Sequence, residues 1–262
     1  MLHFDLADHY QRGSSRIHRL DPRIKVIGAF LFILVATLLP FGAWPSYALL
    51  FVATLFIAQL SGLGAGYALK RSFIVLPFAL AAITLPLTVP GETLAQWGAL
   101  TVSVEGTVRF VSILVKSWVS VQIAILLAVT TAFPDLLWAL RELRVPRPLV
   151  GIVAFMYRYL FVLADESLRL RRAREARSAA GTGRAGGSLL WRGKVAGGMV
   201  GNLAVRAFER SERIYNAMLA RGFRGELLTL TPPAMTDSDR TMLVGWVTFL
   251  AMATLIGFVF AR

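Results

Sequence analysis

The sequence predicts an all-α polytopic membrane protein: about five transmembrane helices, a short interfacial helix and two long cytoplasmic helices that cross. Three observations carry this prediction. Hydrophobic residues make up 56% of the 262 positions and charged residues only 16%, against about 25% charged in an ordinary soluble domain. The apolar residues gather in long uncharged runs, and Val26–Leu69 holds no charge over 44 residues, which is the pattern of membrane spans. The charge, finally, is concentrated. Of a net +13, +10 falls between Arg141 and Glu226, where 17 Lys/Arg stand against 7 Asp/Glu. A basic block between apolar spans is the positive-inside signature.

The same numbers exclude several classes. In a soluble chain a charge of +13 would suggest nucleic acid, but its confinement to one inter-span block, without an RNA- or DNA-binding pattern, argues for no nucleic-acid partner. There is no cysteine, so disulfides, thiolate chemistry and Cys-based zinc sites are absent. The histidines are His3, His9 and His18. His3 has the third-position spacing that can chelate copper or nickel, yet one imidazole after a retained Met1 makes a poor site, and neither a metal nor a cofactor is expected. Asp5 and Asp8 with no early apolar run do not read as a cleavable signal peptide.

Taken in order, residues 1–133 are expected to hold an N-terminal segment and four spans. His18-Arg19-Leu20-Asp21-Pro22-Arg23-Ile24-Lys25 pairs an Asp N-cap with Pro at the first helical position, so a helix starts there. Arg23 and Lys25 are expected at the cytoplasmic headgroups. The uncharged run beyond would be about 66 Å as one helix, twice the hydrocarbon thickness. It must turn back at Pro40-Phe41-Gly42-Ala43-Trp44-Pro45, giving spans near 24–40 and 45–61. A third span, 72–91, carries Pro77, Pro86 and Pro90 and needs neighbours to satisfy freed carbonyls. Glu92 and Glu105 mark an outside loop. The fourth span, 107–132, has Arg109 and Lys116 on one face of its outer half. Intramembrane charge flags function, but snorkelling to the outer interface is the preferred reading.

Residues 134–230 are expected to form a cytoplasmic region. Leu136, Leu137, Leu140 and Leu143 put an apolar face on a short helix suited to the membrane interface. Two long helices follow, about 149–179 and 189–221, separated by the glycine-rich tip Gly181–Ser188. Gly193, Gly197 and Gly201 recur at four-residue spacing, line one face, and predict a tight helix crossing. Ala164, Ala173, Ala176 and Ala180 offer complementary small residues. The first helix ends in Ala176-Arg177-Ser178 and the second in Ala220-Arg221-Gly222. Arg near a helix C-terminus followed by Gly is an ordinary stop. Two such endings, presented far apart, suit docking to two copies of one partner or to two related partners, with Arg supplying donors to carboxylates and carbonyls. Residues 231–262 are a linker and a last span, 241–261. Five spans then put the N-terminus inside and the C-terminus outside.

With His18–Lys25, Met156-Tyr157-Arg158-Tyr159 and the paired endings in view, the chain resembles the transmembrane T component of energy-coupling factor transporters, with its nearest likeness in the cobalt-uptake members, CbiQ. The resemblance implies crossed cytoplasmic coupling helices and a bacterial inner-membrane location. It implies, as partners, two ATP-binding cassette ATPase subunits and a substrate-binding membrane subunit for cobalt, all within the lipid bilayer. It implies that Ala176-Arg177-Ser178 and Ala220-Arg221-Gly222 each sit in a groove of one ATPase. Ser178 stands where the family has Gly, and Gly181 is then the candidate for that helix stop.

The function this implies is non-catalytic transmission of ATPase motion to the substrate subunit. The same role for nickel or a vitamin is the alternative. A stand-alone carrier or receptor would be expected to place polar groups at mid-membrane. An enzyme would need acids, histidines or metal ligands at the interface, and the spans hold almost none. Asp165 and Glu166 lie in the hairpin, where Glu166 is expected to pair with Arg169.

Overall fold

The computed structural model describes residues 10, 11, 13, 15–72, 82–97, 100–177, 188–225 and 235–260. These form helices α1 (Arg16–Arg19), α2 (Pro22–Leu38), α3 (Trp44–Leu60), α4 (Ala65–Arg71) and α5 (Leu85–Thr88). A hairpin of β1 (Thr93–Trp97) and β2 (Leu100–Ser103) follows, then α6 (Val104–Thr130), α7 (Phe133–Glu142), α8 (Arg147–Arg177), α9 (Leu189–Ala220) and α10 (Asp237–Phe260). The chain divides between Leu143 and Arg144 into two units, one holding α8 and α9 and the other the remaining elements. The interfacial helix α7 therefore belongs with the spans.

In the larger unit, α2 starts where the sequence places it. Asp21 Oδ1 accepts from the Arg23 N–H at 2.8 Å, and Pro22 holds the first helical position, a cap contributing about 1 kcal/mol. The reversal at Pro40–Ala43 is fixed from both sides. Gly42 adopts φ 82°, its N–H donates to Ser112 Oγ at 3.0 Å, and the Tyr47 hydroxyl donates to the Pro40 carbonyl at 2.6 Å.

Helices α2, α3, α6 and α10 close around one apolar core of Phe32, Leu39, Leu50, Val119, Ile123, Leu126, Leu250 and Ala253. Small residues let the helices approach. A Cβ built on Gly257 would clash with Leu39 Cδ2 and meet Ser46 Oγ at 3.0 Å. Polar groups inside the bundle are paired across helices. The Ser46 hydroxyl donates to the Ala253 carbonyl at 2.7 Å, the Trp246 indole donates to the Gly28 carbonyl at 3.1 Å, and a 2.8 Å bond joins the Thr54 hydroxyl to the Gln122 carboxamide. Each such bond contributes about 0.6 kcal/mol in a membrane. The opposite faces carry exposed Phe30, Val52, Phe56, Leu255 and Phe258, as lipid-facing surfaces do.

Among the described residues, three helices are by length and composition apolar enough to cross a membrane: α6, α10 and, on the strength of its first half, α8; α3 is a shorter apolar helix. Residues 73–81 of the expected third span lie outside the described residues. The segment expected as an outside loop forms strands: Thr93–Ser103 pairs as an antiparallel hairpin with Gln96 opposite Thr101, Trp97 opposite Leu100 and a register shift between Thr93 and Ala95. Its β-branched and aromatic residues favour strands.

Candidate functional site: two helix ends and what holds them

Helices α8 and α9 have 31 and 32 residues, about 46 and 48 Å. They run antiparallel. The start of α8 and the end of α9 share one apolar groove of about 610 Å³, lined by Ile152, Phe155, Tyr159, Ile214, Tyr215 and Met218 among others. At the other end, the Arg174 guanidinium lies 5.9 Å from the Trp191 ring. The first half of α8 is apolar on two sides: Phe155 and Tyr159 turn to the groove and stack at 6.4 Å, while Leu149, Met156 and Leu160 are exposed. Its second half is basic.

Between the two ends sits an ion cluster. Glu166 of α8 contacts Arg169 at 3.0 Å, Arg206 of α9 at 3.1 Å and Arg210 of α9 at 3.5 Å. Its carboxylate side chain is 14% exposed. The Arg206 hydrogen bond, with Arg169 and Arg210 close by, holds the Glu166 carboxyl below its ordinary value of 4.5. Sequence spacing identifies the Arg169 partner. The two α9 partners, 40 and 44 positions away, leave no local signal.

Arg177 is the last described residue of α8 and is exposed, as is Ala176. Ser178 and Gly181 lie outside the described residues. The second ending is complete. Gly222 adopts φ 78°, its N–H donates to the Leu219 carbonyl at 2.9 Å, and the Phe223 N–H donates to the Met218 carbonyl at 3.0 Å. These two bonds form a Schellman stop. It leaves Arg221 exposed at the helix terminus, with Met218 and Phe223 both turned into the groove. Neither Arg177 nor Arg221 has an ion pair among the described residues. The two endings sit at opposite ends of one antiparallel pair, about 45 Å apart by helix rise.

The glycine face is not where the helices meet. A Cβ built on Gly193, Gly197 or Gly201 finds no described heavy atom within 4 Å. The inward stripe of α9 is Val195, Met199, Leu203, Ala207, Arg210, Ile214 and Met218, all partly shielded. The glycines flank that stripe, while Arg206 and Arg210 meet Glu166 of α8.

In the larger unit, the residues expected as headgroup anchors are turned into the protein. The Arg23 guanidinium lies 4.3 Å over the Trp138 ring and 3.8 Å from Glu142, pinning α7 to α2. Lys25 Nζ donates to the carbonyls of His18 at 3.1 Å and Thr130 at 3.0 Å. Lys116 acts similarly at the far end of α2. Its Nζ donates to the Thr37 carbonyl at 3.2 Å and to the Leu39 carbonyl, and lies 4.8 Å from the Phe41 ring. Arg109 lies 5.8 Å over the same ring. Lys25 and Lys116 thereby cap helix C-terminal ends within the chain. Among the described residues no cluster of three metal-ligating side chains occurs. His18 is engaged by Ser15 Oγ at 2.7 Å and the Gln11 carbonyl at 3.0 Å, and His3 lies outside the described residues.

A lipid-facing helical bundle joined to a long basic helix pair with open ends defines an integral membrane protein that works through partners. Comparison with known proteins narrows the class. The family model described as cobalt transport protein, CbiQ, matches residues 13–231. The energy-coupling factor transporter transmembrane protein EcfT of Lacticaseibacillus paracasei is 30% identical over 230 residues, 84% of this chain and 85% of that protein. EcfT of Brevibacillus brevis is 35% identical over 227 residues, 82% and 83% of the two chains. An uncharacterised protein of Methanocaldococcus jannaschii is 24% identical over 262 residues, 95% of this chain and 85% of the other. The chain belongs to the CbiQ family and is the transmembrane component of an energy-coupling factor transporter.

Proposed function

We propose that this chain couples ATP hydrolysis by two ATP-binding cassette subunits to uptake through a separate substrate-binding membrane subunit, without catalysing a reaction itself. The observation that carries this reading is the pair of exposed arginines at opposite ends of one antiparallel helix pair. Arg177 and Arg221, with Ala176, Ser178, Ala220 and Gly222 around them, each dock in a groove of one ATPase. ATP closes the ATPases and draws the grooves together. The helix ends follow, and α8 and α9 pivot about the Glu166 cluster. Stiff helices shift as bodies and do not deform continuously, so motion at the ends reaches the apolar first half of α8. The open groove and the exposed Leu149, Ile152, Met156 and Leu160 suit an apolar partner, the substrate-binding subunit.

The chain carries no Gly-x-x-x-x-Gly-Lys-[Ser/Thr] phosphate loop, in keeping with ATP hydrolysis by partners. The family description supports cobalt as cargo, with nickel or a vitamin as the alternative. Loop charges support a cytoplasmic N-terminus and cytoplasmic α8 and α9, with the C-terminus outside.

The test is co-purification. With the chain co-expressed beside its ATPase and substrate subunits, Arg177→Glu combined with Arg221→Glu removes the ATPases from the purified complex while the chain still inserts in the membrane. Unchanged ATPase recovery overturns the docking assignment. Uptake of labelled cobalt, with nickel and vitamins as competitors, decides the cargo.

A further inference from the structure

Leu189, Leu190 and Trp191 form the first turn of α9 and are 84%, 87% and 50% exposed. They sit on ordered helix, because Ser188 caps that turn by accepting the Trp191 N–H at 3.3 Å. The Arg174 guanidinium lies 5.9 Å from the Trp191 ring, a cation–π contact that fixes the trio beside the last turn of α8, one turn before Arg177. The surroundings are basic. Arg171, Arg172, Arg174 and Arg177 come from α8 and Arg192 and Lys194 from α9, while Glu175 is already paired with Arg171 at 3.4 Å.

We infer that this turn is the apolar anchor of the first docking end: Leu189, Leu190 and Trp191 seat in an apolar pocket with an acidic rim on an ATP-binding cassette subunit, beside the groove that takes Arg177. The inference rests on the proposed docking and adds a second, hydrophobic half to one of its two points. Trp and Arg are the residues that dominate binding energy at interface centres, and a Trp ring already held by a guanidinium loses little freedom on binding. The ring of arginines calls for an acidic rim.

A lipid surface fits less well. A helix lying in a membrane interface needs a continuous apolar stripe, whereas Trp191 is followed by Arg192-Gly193-Lys194 and then by Gly197, Gly198 and Gly201. Beyond this turn the next large exposed apolar side chain on α9 is Val200, nine residues or about 14 Å further along the helix, so Leu189, Leu190 and Trp191 stand apart as a plug. The two ends also differ. Of the apolar residues flanking Arg221, Met218 and Phe223 line the groove between α8 and α9, and Leu219 is 48% exposed. The first end thus projects an anchor that the second end keeps mostly folded in.

The test uses the full chain assembled with its partner subunits in membranes. Benzoylphenylalanine is placed at Leu190 in one preparation and at Leu219 in another, then photoactivated. An ATPase adduct from Leu190 supports the anchor. An ATPase adduct from Leu219, with only lipid or no adduct from Leu190, overturns the anchor while docking at the second end stands. No ATPase adduct from either position overturns the docking itself and the anchor with it. In the same complex Trp191→Ala weakens ATPase binding about thirtyfold and Trp191→Phe restores part of it. Unchanged binding in Trp191→Ala also overturns the anchor.

Discussion

The two units of this chain solve opposite problems. In the bundle of α2, α3, α6 and α10, large side chains such as Phe32, Leu50 and Leu126 are 0%, 1% and 2% exposed, and Ser46, Thr54 and Trp246 bond across helices. In α8 and α9, by contrast, no described residue is buried. Their apolar residues line an open groove or face outward, and Arg177 and Arg221 stand exposed at helix ends with no ion pair among the described residues. The bundle buries a core of its own, whereas the helix pair does not; under the proposed function that open surface is what partners recognise.

That contrast can be broken by substitution. Phe32→Ala opens a cavity in the bundle and lowers stability by about 3–5 kcal/mol, read as a large fall in the thermal midpoint in detergent. Phe208→Ala on α9, where the ring is 74% exposed, changes it by less than about 0.5 kcal/mol. Equal losses would mean that the helix pair has a core of its own. Lys116→Met leaves the carbonyls of Thr37 and Leu39 without their donor and costs about 1–2 kcal/mol. An unchanged midpoint would return Lys116 to the role of an interface snorkel.

The Glu166 cluster gives a smaller, pH-dependent effect. Its carboxyl is held below 4.5 in the folded chain, so its contribution is fully present above that value. It is lost as pH falls through the lower, folded value. Hydrogen exchange along α8 and α9 is therefore expected to be flat from neutrality down to about pH 4.5 and to rise in stronger acid, after correction for intrinsic exchange. Glu166→Gln shows the faster exchange already at neutral pH. A wild-type rise between pH 7 and 5 would point to a different group. Smallest of all, Gly193→Ala meets open space and stabilises α9 by about 0.5–1 kcal/mol. A loss of stability there would restore the expected glycine crossing.

Much of this architecture is legible in the sequence, because local chemistry decides it. Asp21-Pro22 starts α2, the Pro40–Pro45 segment turns the chain, and Ala220-Arg221-Gly222 stops α9 with glycine in the left-handed region that only it adopts cheaply. What escapes is long-range. A four-residue glycine spacing defines a face of α9 but not what lies opposite, and the side of α9 that meets α8 is the adjacent stripe that carries Arg210, Ile214 and Met218. Lys116 reads as a charge in the membrane until the carbonyls of α2, some 77 positions earlier, are brought beneath it. The anchor turn at Leu189–Trp191 hides for a related reason: three apolar residues after a glycine-rich stretch look like an ordinary helix start until their exposure is known.

The central claim is that the ends of α8 and α9 move together when partner ATPases close. The chain has no cysteine, so spin labels at Ala173→Cys and Ala217→Cys report on these ends alone, across about 40 Å by helix rise. In the assembled transporter, ATP is predicted to shorten that distance and nucleotide-free conditions to restore it. A distance distribution that is identical with and without ATP would contradict the account.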